Sequence, residues 1–192
     1  MIIQDEMRQK CATYSYIIKP KETERGYIMK QRVFIDMDGV LCEYRTDADL
    51  TDMETAGYFR NLRPRKKMLD AVRTLVKSGC ADVFILSSVL PQTESESVRE
   101  KNEWLDEFLP EIQQERRIFP LCGTNKADAV ADLLPTDVLC DDHTPNLNGW
   151  VRSGGKAVKI INEVNGLRGT FTAGPRVKIE TCTDLIRAIG AA

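Results

Sequence analysis

Two aspartates lie one residue apart at the end of an apolar run. Asp36 and Asp38 follow the apolar residues 33–35 and precede Gly39. A short run of apolar β-formers predicts a buried strand, and the glycine lets the backbone turn sharply where that strand ends. We therefore expect both carboxylates at the carboxyl end of a strand, which is where open α/β sheets bind their ligands.

Carboxylates this close repel each other, and the repulsion raises the pKa of one of them. A hard cation such as Mg²⁺, together with an anionic substrate, would relieve the repulsion. The same Asp-x-Asp-Gly string also fits a solvated turn of the kind found in many proteins. The motif by itself leaves both interpretations open, and the rest of the sequence has to decide between them.

Further polar residues stand at or after the ends of later apolar runs. Two hydroxyls, one ammonium and two carboxylates follow the second, third and fourth predicted strands, and they belong to Ser87, Ser88, Lys126, Asp141 and Asp142. In a parallel sheet these strand ends lie along one edge. Carboxylates bind Mg²⁺, while hydroxyl, ammonium and main-chain N–H groups hold phosphate oxygens. The set predicts a site for a metal-held phosphate.

Strands alternate with amphipathic helices after residue 31. Four apolar runs predict strands after the first one, at 82–86, 117–121, 137–142 and 157–161. Helix starts are predicted at Pro64, at a Thr93 capping box, at Asn125 with continuation through Leu134, at Asn146 and at Asp184. This alternation predicts an α/β fold, with a doubly wound, mostly parallel, Rossmann-like sheet.

The segment between the first strand and the helix at Pro64 is too long for a tight loop. We interpret residues 43–63 as a small helical cap inserted over the site. Its Gly-Tyr-Phe-Arg string at 57–60 places two aromatic rings beside a guanidinium group, and such a group of side chains could stack on a flat ligand. Tyr58 and Phe59 could equally anchor the cap to the core.

Composition and charge limit the partners. The chain has 192 residues and a net charge of −2, with its basic residues dispersed, which is not the pattern of a nucleic-acid-binding protein. Six cysteines without a C-x-x-C pair and a single histidine disfavour a structural zinc site. No run is long enough for a transmembrane helix. We expect a cytoplasmic protein with free thiols and no membrane partner.

Residues 1–30 precede the predicted α/β domain at 31–192. Met29 stands directly before the first strand, so we interpret residues 1–28 as an appendage or an upstream-start extension, which can still pack on the core. The glycine-containing loop at 162–175 has no assigned role. The oligomeric state stays open, with a homodimer as one option.

The polar residues, taken in chain order, resemble the four motifs of the haloacid dehalogenase (HAD) superfamily. The string Asp-Met-Asp-Gly-Val at 36–40 is the most specific part, and Ser87, Lys126 and the acidic pair at 141–142 complete the set. The resemblance extends over residues 32–161. It implies a hydrolase with the α/β fold predicted above.

Within that superfamily the chain resembles the 5′(3′)-deoxyribonucleotidase branch. The features that carry this second resemblance are Val-Leu at 40–41, the cap string at 57–62 and Asn-Leu at 146–147. The branch implies a phosphatase of the 5′-nucleotidase type that takes a small phosphorylated substrate. The resemblance therefore implies a Mg²⁺-dependent phosphomonoester hydrolase acting on nucleoside (deoxy)monophosphates.

The resemblance also implies a role for each site residue. Asp36 would be the nucleophile that forms an aspartyl-phosphate, and Asp38 would protonate the leaving alkoxide and then deprotonate the attacking water. Ser87 and Lys126 would stabilise the transferring phosphoryl group. Asp36, the main-chain carbonyl of Asp38 and the acidic pair at 141–142 would hold Mg²⁺.

Substrate contacts follow from the same resemblance. Tyr44 matches a base-contacting aromatic, Tyr58 and Phe59 match an aromatic pair of the cap, and Ser88 matches a further ligand contact. Thr124 departs from the pattern, because nucleotidases of this branch place a basic residue two positions before the motif lysine. The departure leaves a phosphatase of another small ester, such as a sugar phosphate, or of a phosphoprotein as alternatives. A nucleotide-binding or phosphate-binding module without turnover is a further alternative.

Other reactive side chains near the motifs receive no catalytic role. His143 follows the acidic pair, but the motif needs no histidine there, so we interpret it as a loop residue that supports its neighbours. Cys42 and Cys140 are expected to fill space at strand ends. A glycine-rich Walker loop is missing from the sequence, which disfavours a kinase or an ATPase.

Overall fold

The computed structural model describes residues 21–22, 28–45, 49–165 and 171–192. A six-stranded sheet forms its centre, with every neighbouring pair of strands parallel and with the order β5-β4-β3-β6-β7-β8. These strands span Gln31–Ile35 (β3), Ala81–Leu86 (β4), Arg117–Ile118 (β5), Val138–Asp141 (β6), Lys156–Ile160 (β7) and Arg176–Val177 (β8). A short antiparallel pair, Lys21–Glu22 (β1) with Ile28–Met29 (β2), precedes them. The predicted parallel α/β fold is confirmed.

Helices connect the strands. The α-helices span Leu50–Met53 (α1), Lys66–Ser78 (α2), Glu94–Phe108 (α3), Thr144–Arg152 (α4) and Cys182–Gly190 (α5). Short 3₁₀ helices in the described residues lie at Pro91–Thr93, Gln114–Arg116 and Lys126–Ala129. None of the helices in the described part of the chain is long and apolar enough to cross a membrane.

Alternation along the central strands divides the core between the two faces of the sheet. Val33 and Ile35 of β3 pack into one hydrophobic cluster with α2, α3 and α5, whereas Phe34 packs into the other with α4. All three side chains are buried, because helices cover both faces. Since β3 pairs with both β4 and β6, its carboxyl end lies at the middle of the sheet edge.

The helix predicted to start at Pro64 starts two residues later, at Lys66. Pro64 forms an antiparallel bridge with Cys42, and the Arg65 N–H donates to the Leu41 carbonyl at 2.8 Å. This return of the chain against the first strand's loop keeps Pro64 extended. The predicted stop is confirmed, because Gly79 caps α2 with φ of 65°.

The capping box predicted at Thr93 is wrong. Thr93 precedes α3, but its side chain makes no capping hydrogen bond, and its hydroxyl pairs with that of Ser97 at 3.1 Å. A 3₁₀ turn at Pro91–Thr93 leads directly into the helix.

Three other predicted boundaries need correction. The helix from Asn125 is a 3₁₀ turn that ends at Ala129, because Val130 is already extended with φ of −110°. The helix predicted from Asn146 begins at Thr144, with a proline in its first turn. The helix predicted from Asp184 begins at Cys182. The third strand is short, as expected from Pro120, and pairs as β5 over two residues.

The segment interpreted as a cap contains one helical turn, α1, followed by turns as far as Asn61. Tyr58 and Phe59 are buried in the cluster that also holds Val33 and Ile35. The cap boundaries at 43–63 and the division at residue 30 stay predictions. Most of the interpreted extension at 1–28, and residues 166–170 of the loop at 162–175, lie outside the described residues.

Candidate active site

Asp36 and Asp38 lie where β3 ends. The Asp36 N–H donates to the Cys140 carbonyl at 2.9 Å, which carries the parallel pairing with β6 one residue past the strand. Gly39 then turns the chain with φ of 76°, and a Cβ there would lie 2.4 Å from Asp142 Oδ2. A side chain at this position would therefore be strained and would also collide with the acidic pair.

Lys126 joins two of the acidic strand ends. Its ammonium group lies 2.6 Å from Asp36 Oδ1 and 2.7 Å from Asp141 Oδ2, and it also donates to the Leu86 carbonyl at 2.8 Å. The 3₁₀ turn that begins at Lys126 is capped by Asn125, whose side chain accepts from the Ala127 N–H. The lysine is buried, so its ion pairs are shielded from solvent.

Three carboxylates could hold a metal ion. Asp36, Asp141 and Asp142 each offer an oxygen, and these oxygens lie within 4.8 Å of one another. Asp141 is oriented by the His143 N–H at 2.7 Å and by Asn146 Nδ2 at 3.0 Å. An all-carboxylate donor set suits Mg²⁺, so the residues present fit the ion that the sequence predicts.

The protonation of the cluster is perturbed. Burial raises the pKa of Asp36 to about 7; the Lys126 ammonium opposes this shift, and Asp141 adds to it. Burial, followed by the neighbouring Asp141, raises the pKa of Asp142 to about 6. Burial disfavours the charged form of Lys126, but Asp141 and Asp36 outweigh it and raise its pKa. Like charges held together out of water therefore favour a bound cation.

Lys101 on α3 is a site residue that the sequence interpretation missed. Its side chain is fully buried, and its ammonium group lies 2.5 Å from Asp38 Oδ2 and 2.8 Å from Ser87 Oγ. It also donates to the Ser88 carbonyl at 2.8 Å and lies 4.6 Å from the centre of the Phe59 ring. A lysine at a helix position that should face the core was the available signal.

Asn162 was also missed, within the loop that received no role. Its Nδ2 donates to the Gly39 carbonyl at 2.9 Å and to Asp142 Oδ2 at 2.6 Å. Its Oδ1 accepts from the N–H groups of Val164 and Asn165. Asn162 thus ties the turn after β3 to the second acidic residue. An isolated asparagine after a strand carries no sequence signal for such a contact.

A cavity of about 530 Å³ opens beside the acidic cluster. Its lining combines reactive, aromatic, aliphatic and amide groups, and the residues are Asp36, Asp38, Tyr44, Met53, Phe59, Ser88, Leu90, Cys122, Lys126, Asp142, His143, Asn146, Val164 and Asn165. Tyr58 packs edge-on against Phe59, with ring centres 5.0 Å apart. Ser87 is buried with its hydroxyl on Lys101.

The fold and the site together have the features of one class of protein. A parallel sheet carries an acidic Asp-x-Asp-Gly turn at its central strand end, a buried lysine and an acidic pair on neighbouring ends, and a cavity above them. Fold and site define a HAD-type phosphatase. Cys42 and Cys140 form no disulfide and are buried beside the site.

Solved structures share this fold. D,D-heptose 1,7-bisphosphate phosphatase from Burkholderia thailandensis aligns with a TM-score of 0.54 and 14% identity over 84% of this chain and 96% of that one. The B. bronchiseptica enzyme complexed with magnesium and phosphate gives 0.52 and 13% over 84% and 96%. An L-2-haloacid dehalogenase gives 0.52 and 12% over 85% and 100%. At these identities the likeness concerns the fold alone.

Comparison of the sequence with models of protein families gives a more specific assignment than the shared fold. A model of the family described as 5′ nucleotidase, deoxy (Pyrimidine), cytosolic type C protein matches residues 50–163, which is more than half of the chain. The chain belongs to this family of HAD-type phosphoric monoester hydrolases. The matched range contains Lys101, Lys126 and the acidic pair, and begins after Asp36 and Asp38. A comparison with curated proteins finds no match.

Proposed function

We propose that this protein is a Mg²⁺-dependent phosphatase of nucleoside (deoxy)monophosphates that works through an aspartyl-phosphate. The observation that carries the proposal is the Asp36 carboxylate, which is held by Lys126 and open to a cavity with aromatic walls. The family match supports a nucleotide as the substrate.

The proposed chemistry has two steps. A carboxylate oxygen of Asp36 attacks phosphorus, the bond from phosphorus to the nucleoside oxygen breaks, and Asp38 gives its proton to the leaving alkoxide. Asp38 then takes a proton from water, which attacks the same phosphorus and releases phosphate, restoring Asp36. Lys126 and main-chain N–H groups of the turn after β3 hold the phosphoryl oxygens throughout.

Mg²⁺ would be held by Asp36, the main-chain carbonyl of Asp38 and the acidic pair at 141–142. When bound, it supplies positive charge that offsets the repulsion between a dianionic phosphate and the carboxylates. Two ammonium groups, those of Lys101 and Lys126, are already ion-paired with the cluster. Four carboxylates against two ammonium groups leave a net negative charge, which a divalent cation would balance.

Recognition of the substrate would involve the wall above the carboxylates. Phe59 and the half-exposed Tyr44 offer rings to a flat base, and Ser88 also lines the cavity. Tyr58 would act from behind, by supporting Phe59. The cavity volume of about 530 Å³ is in the range of small-molecule sites.

The test is phosphate release from a panel of nucleoside monophosphates and sugar phosphates, with MgCl₂ or with a chelator. Wild-type protein should release phosphate only with Mg²⁺, and Asp36→Asn should lower kcat by at least about 10³ because the attacking carboxylate is gone. Asp70→Asn, at an exposed position on α2, is the matched control and should keep full activity. Full turnover by Asp36→Asn would refute the mechanism, and binding of nucleotide without turnover by wild type would indicate a binding module.

A second candidate, a phosphatase of a sugar phosphate, is favoured by Thr124. This residue stands two positions before Lys126, where nucleotidases of the resembled branch carry a basic residue. Its hydroxyl donates to the Leu121 carbonyl at 2.7 Å. Phe59→Ala separates the candidates. A nucleotidase should show a raised KM for nucleotides in this variant, whereas an enzyme that ignores the base should keep its KM.

A further inference from the structure

One buried carboxylate on α3 holds the segment that carries Phe59. Glu100 is 2% exposed, and its Oε2 accepts from the Phe59 N–H at 3.0 Å and from the Arg60 N–H at 3.4 Å. Its Oε1 accepts from the Gly57 N–H and lies 4.0 Å from the Arg99 guanidinium. Three main-chain N–H groups from residues 57–60 thus donate to one carboxylate. A carboxylate is costly to bury without such donors.

The rest of the same segment is fixed to the same helix. Trp104 Nε1 donates to the Leu62 carbonyl at 2.7 Å, and the Arg60 guanidinium pairs with Glu107. The segment at 57–62 therefore rests on α3 at both ends. A helix is a rigid support, so the position of the segment is set by α3 rather than by the turns on either side.

The residue after Glu100 contacts a carboxylate that takes part in the proposed reaction. Lys101 bonds Asp38 and lies under the Phe59 ring. Two adjacent residues of one helix therefore hold the aromatic wall of the cavity and the carboxylate proposed to transfer the proton. The spacing between wall and carboxylate is built into α3.

We propose that Glu100 is a positioning residue that fixes Phe59 relative to Asp36 and Asp38 and so selects substrates with a flat, bulky leaving group. The selection rests on the proposed nucleotidase function, whereas the positioning does not. Removing the carboxylate charge should loosen the wall and leave the phosphate chemistry in place, because Glu100 contacts the Phe59 segment and no reacting group.

The experiment compares Glu100→Gln with Glu94→Gln, a control at an exposed position at the start of the same helix. Kinetics use a pyrimidine deoxynucleoside monophosphate and glycerol 2-phosphate. Glu100→Gln should raise KM for the nucleotide by about tenfold, as expected for lost charged hydrogen bonds, with kcat and the glycerol phosphate constants within about twofold. Glu100→Asp, which keeps the charge, should fall between.

Hydrogen exchange of the whole protein gives a second readout that needs no substrate. The amides of residues 57–60 should exchange at least about tenfold faster in Glu100→Gln than in wild type, with those of β4 unchanged. Equal exchange, or a parallel loss of kcat on both substrates, would overturn the positioning role. A wild-type enzyme that turns over glycerol phosphate but no nucleotide would overturn the proposed substrate and the selection, while the exchange comparison still decides the positioning.

Discussion

At the scale of single residues, the site is a compact arrangement of buried charges. Asp36 and Asp141 share Lys126, Asp38 contacts Lys101, and Asp142 is held by Asn162. Buried charges are tolerated only when they are paired and hydrogen-bonded. Because carboxylates outnumber ammonium groups in the site, the stability of the metal-free protein should depend on pH.

The first prediction concerns Asp142, whose pKa is raised to about 6 from its ordinary 3.8, first by burial and then by Asp141. A raised carboxyl pKa means that the contribution of this group to stability is greatest at low pH and falls as the pH rises through about 4 to 6, by up to about 3 kcal/mol. Asp142→Asn should therefore make the metal-free protein more stable than wild type at about pH 8, and little different at about pH 4. Chemical denaturation in a chelator measures this difference.

With Mg²⁺ bound, wild type should become more stable than Asp142→Asn at about pH 8. Because a cation neutralises the carboxylates, MgCl₂ should raise the Tm of wild type at about pH 8 and raise it much less at about pH 5, where protons compete for the same oxygens. The Asn variant should show a smaller shift at both pH values. An equal Mg²⁺ shift in both proteins would remove Asp142 from the metal site.

At the scale of elements, helix α3 contributes more than a connection between strands. Its buried face carries Glu100 and Lys101 between apolar residues such as Trp104 and Leu105. It begins without a side-chain cap, in contrast to α5, where the Asp184 carboxylate accepts from the Thr181 N–H at 2.6 Å and from the Glu180 N–H at 2.9 Å. The strings at 93–96 and 181–184 both begin with threonine and have an acidic residue three positions later, yet only the second forms this cap at the start of its helix.

The second prediction uses that contrast. The main-chain hydrogen bond from Thr181 lowers the pKa of Asp184, so its contribution to stability is present at neutral pH and is lost as the pH falls through the lowered pKa. Asp184→Asn should reduce the free energy of unfolding by about 1 kcal/mol at neutral pH and by less in acid. Urea denaturation at the two pH values measures it.

Glu96→Gln is the matched control, because Glu96 occupies the corresponding place in the string at 93–96 and pairs only with groups of its own helix, chiefly Arg99. It should leave the urea midpoint unchanged. A larger loss for this variant than for Asp184→Asn would mean that a cap at Thr93 forms in solution.

At the scale of the whole molecule, the site exists only because the sheet closes long separations in sequence. Lys126 and Asp36 are 90 residues apart, and Lys101 and Asp38 are 63 apart. At the opposite end of the central strands, Arg32 on β3 bonds both carboxylate oxygens of the buried Asp137, across 105 residues. This pair fixes the approach of the chain to β6, whose other end carries Asp141.

The third prediction therefore concerns stability without catalysis. Arg32→Gln leaves the buried Asp137 carboxylate without its cation, so the free energy of unfolding should fall by about 2 kcal/mol. Activity per folded molecule should not change, because the pair lies away from the cavity. Arg116→Gln, which breaks an exposed pair with Asp82, should cost less than about 0.5 kcal/mol. Equal losses in the two variants would argue against a stabilising role for the buried pair.

Much of the architecture follows from local patterns in the sequence. Apolar runs locate the central strands, and the glycine after Ser78 locates the end of α2, because burial and backbone freedom act over a few residues. Boundaries fail where distant segments intervene. Pro64 is extended because it pairs with Cys42, and Thr93 does not cap α3 with its side chain because it ends the 3₁₀ turn that leads into that helix.

The sequence by itself determined the fold class and the polar residues at the strand ends, since a strand that ends in Asp-Met-Asp-Gly must present those carboxylates at the sheet edge. The tertiary structure alone decided that Lys101 meets Asp38, that Glu100 holds the Phe59 segment and that Asn162 joins Gly39 to Asp142. Such contacts depend on how helices and loops pack across dozens of residues. The helical position of Lys101 indicates burial but not its partner, and a glutamate or an asparagine looks the same in sequence whether it is buried or solvated.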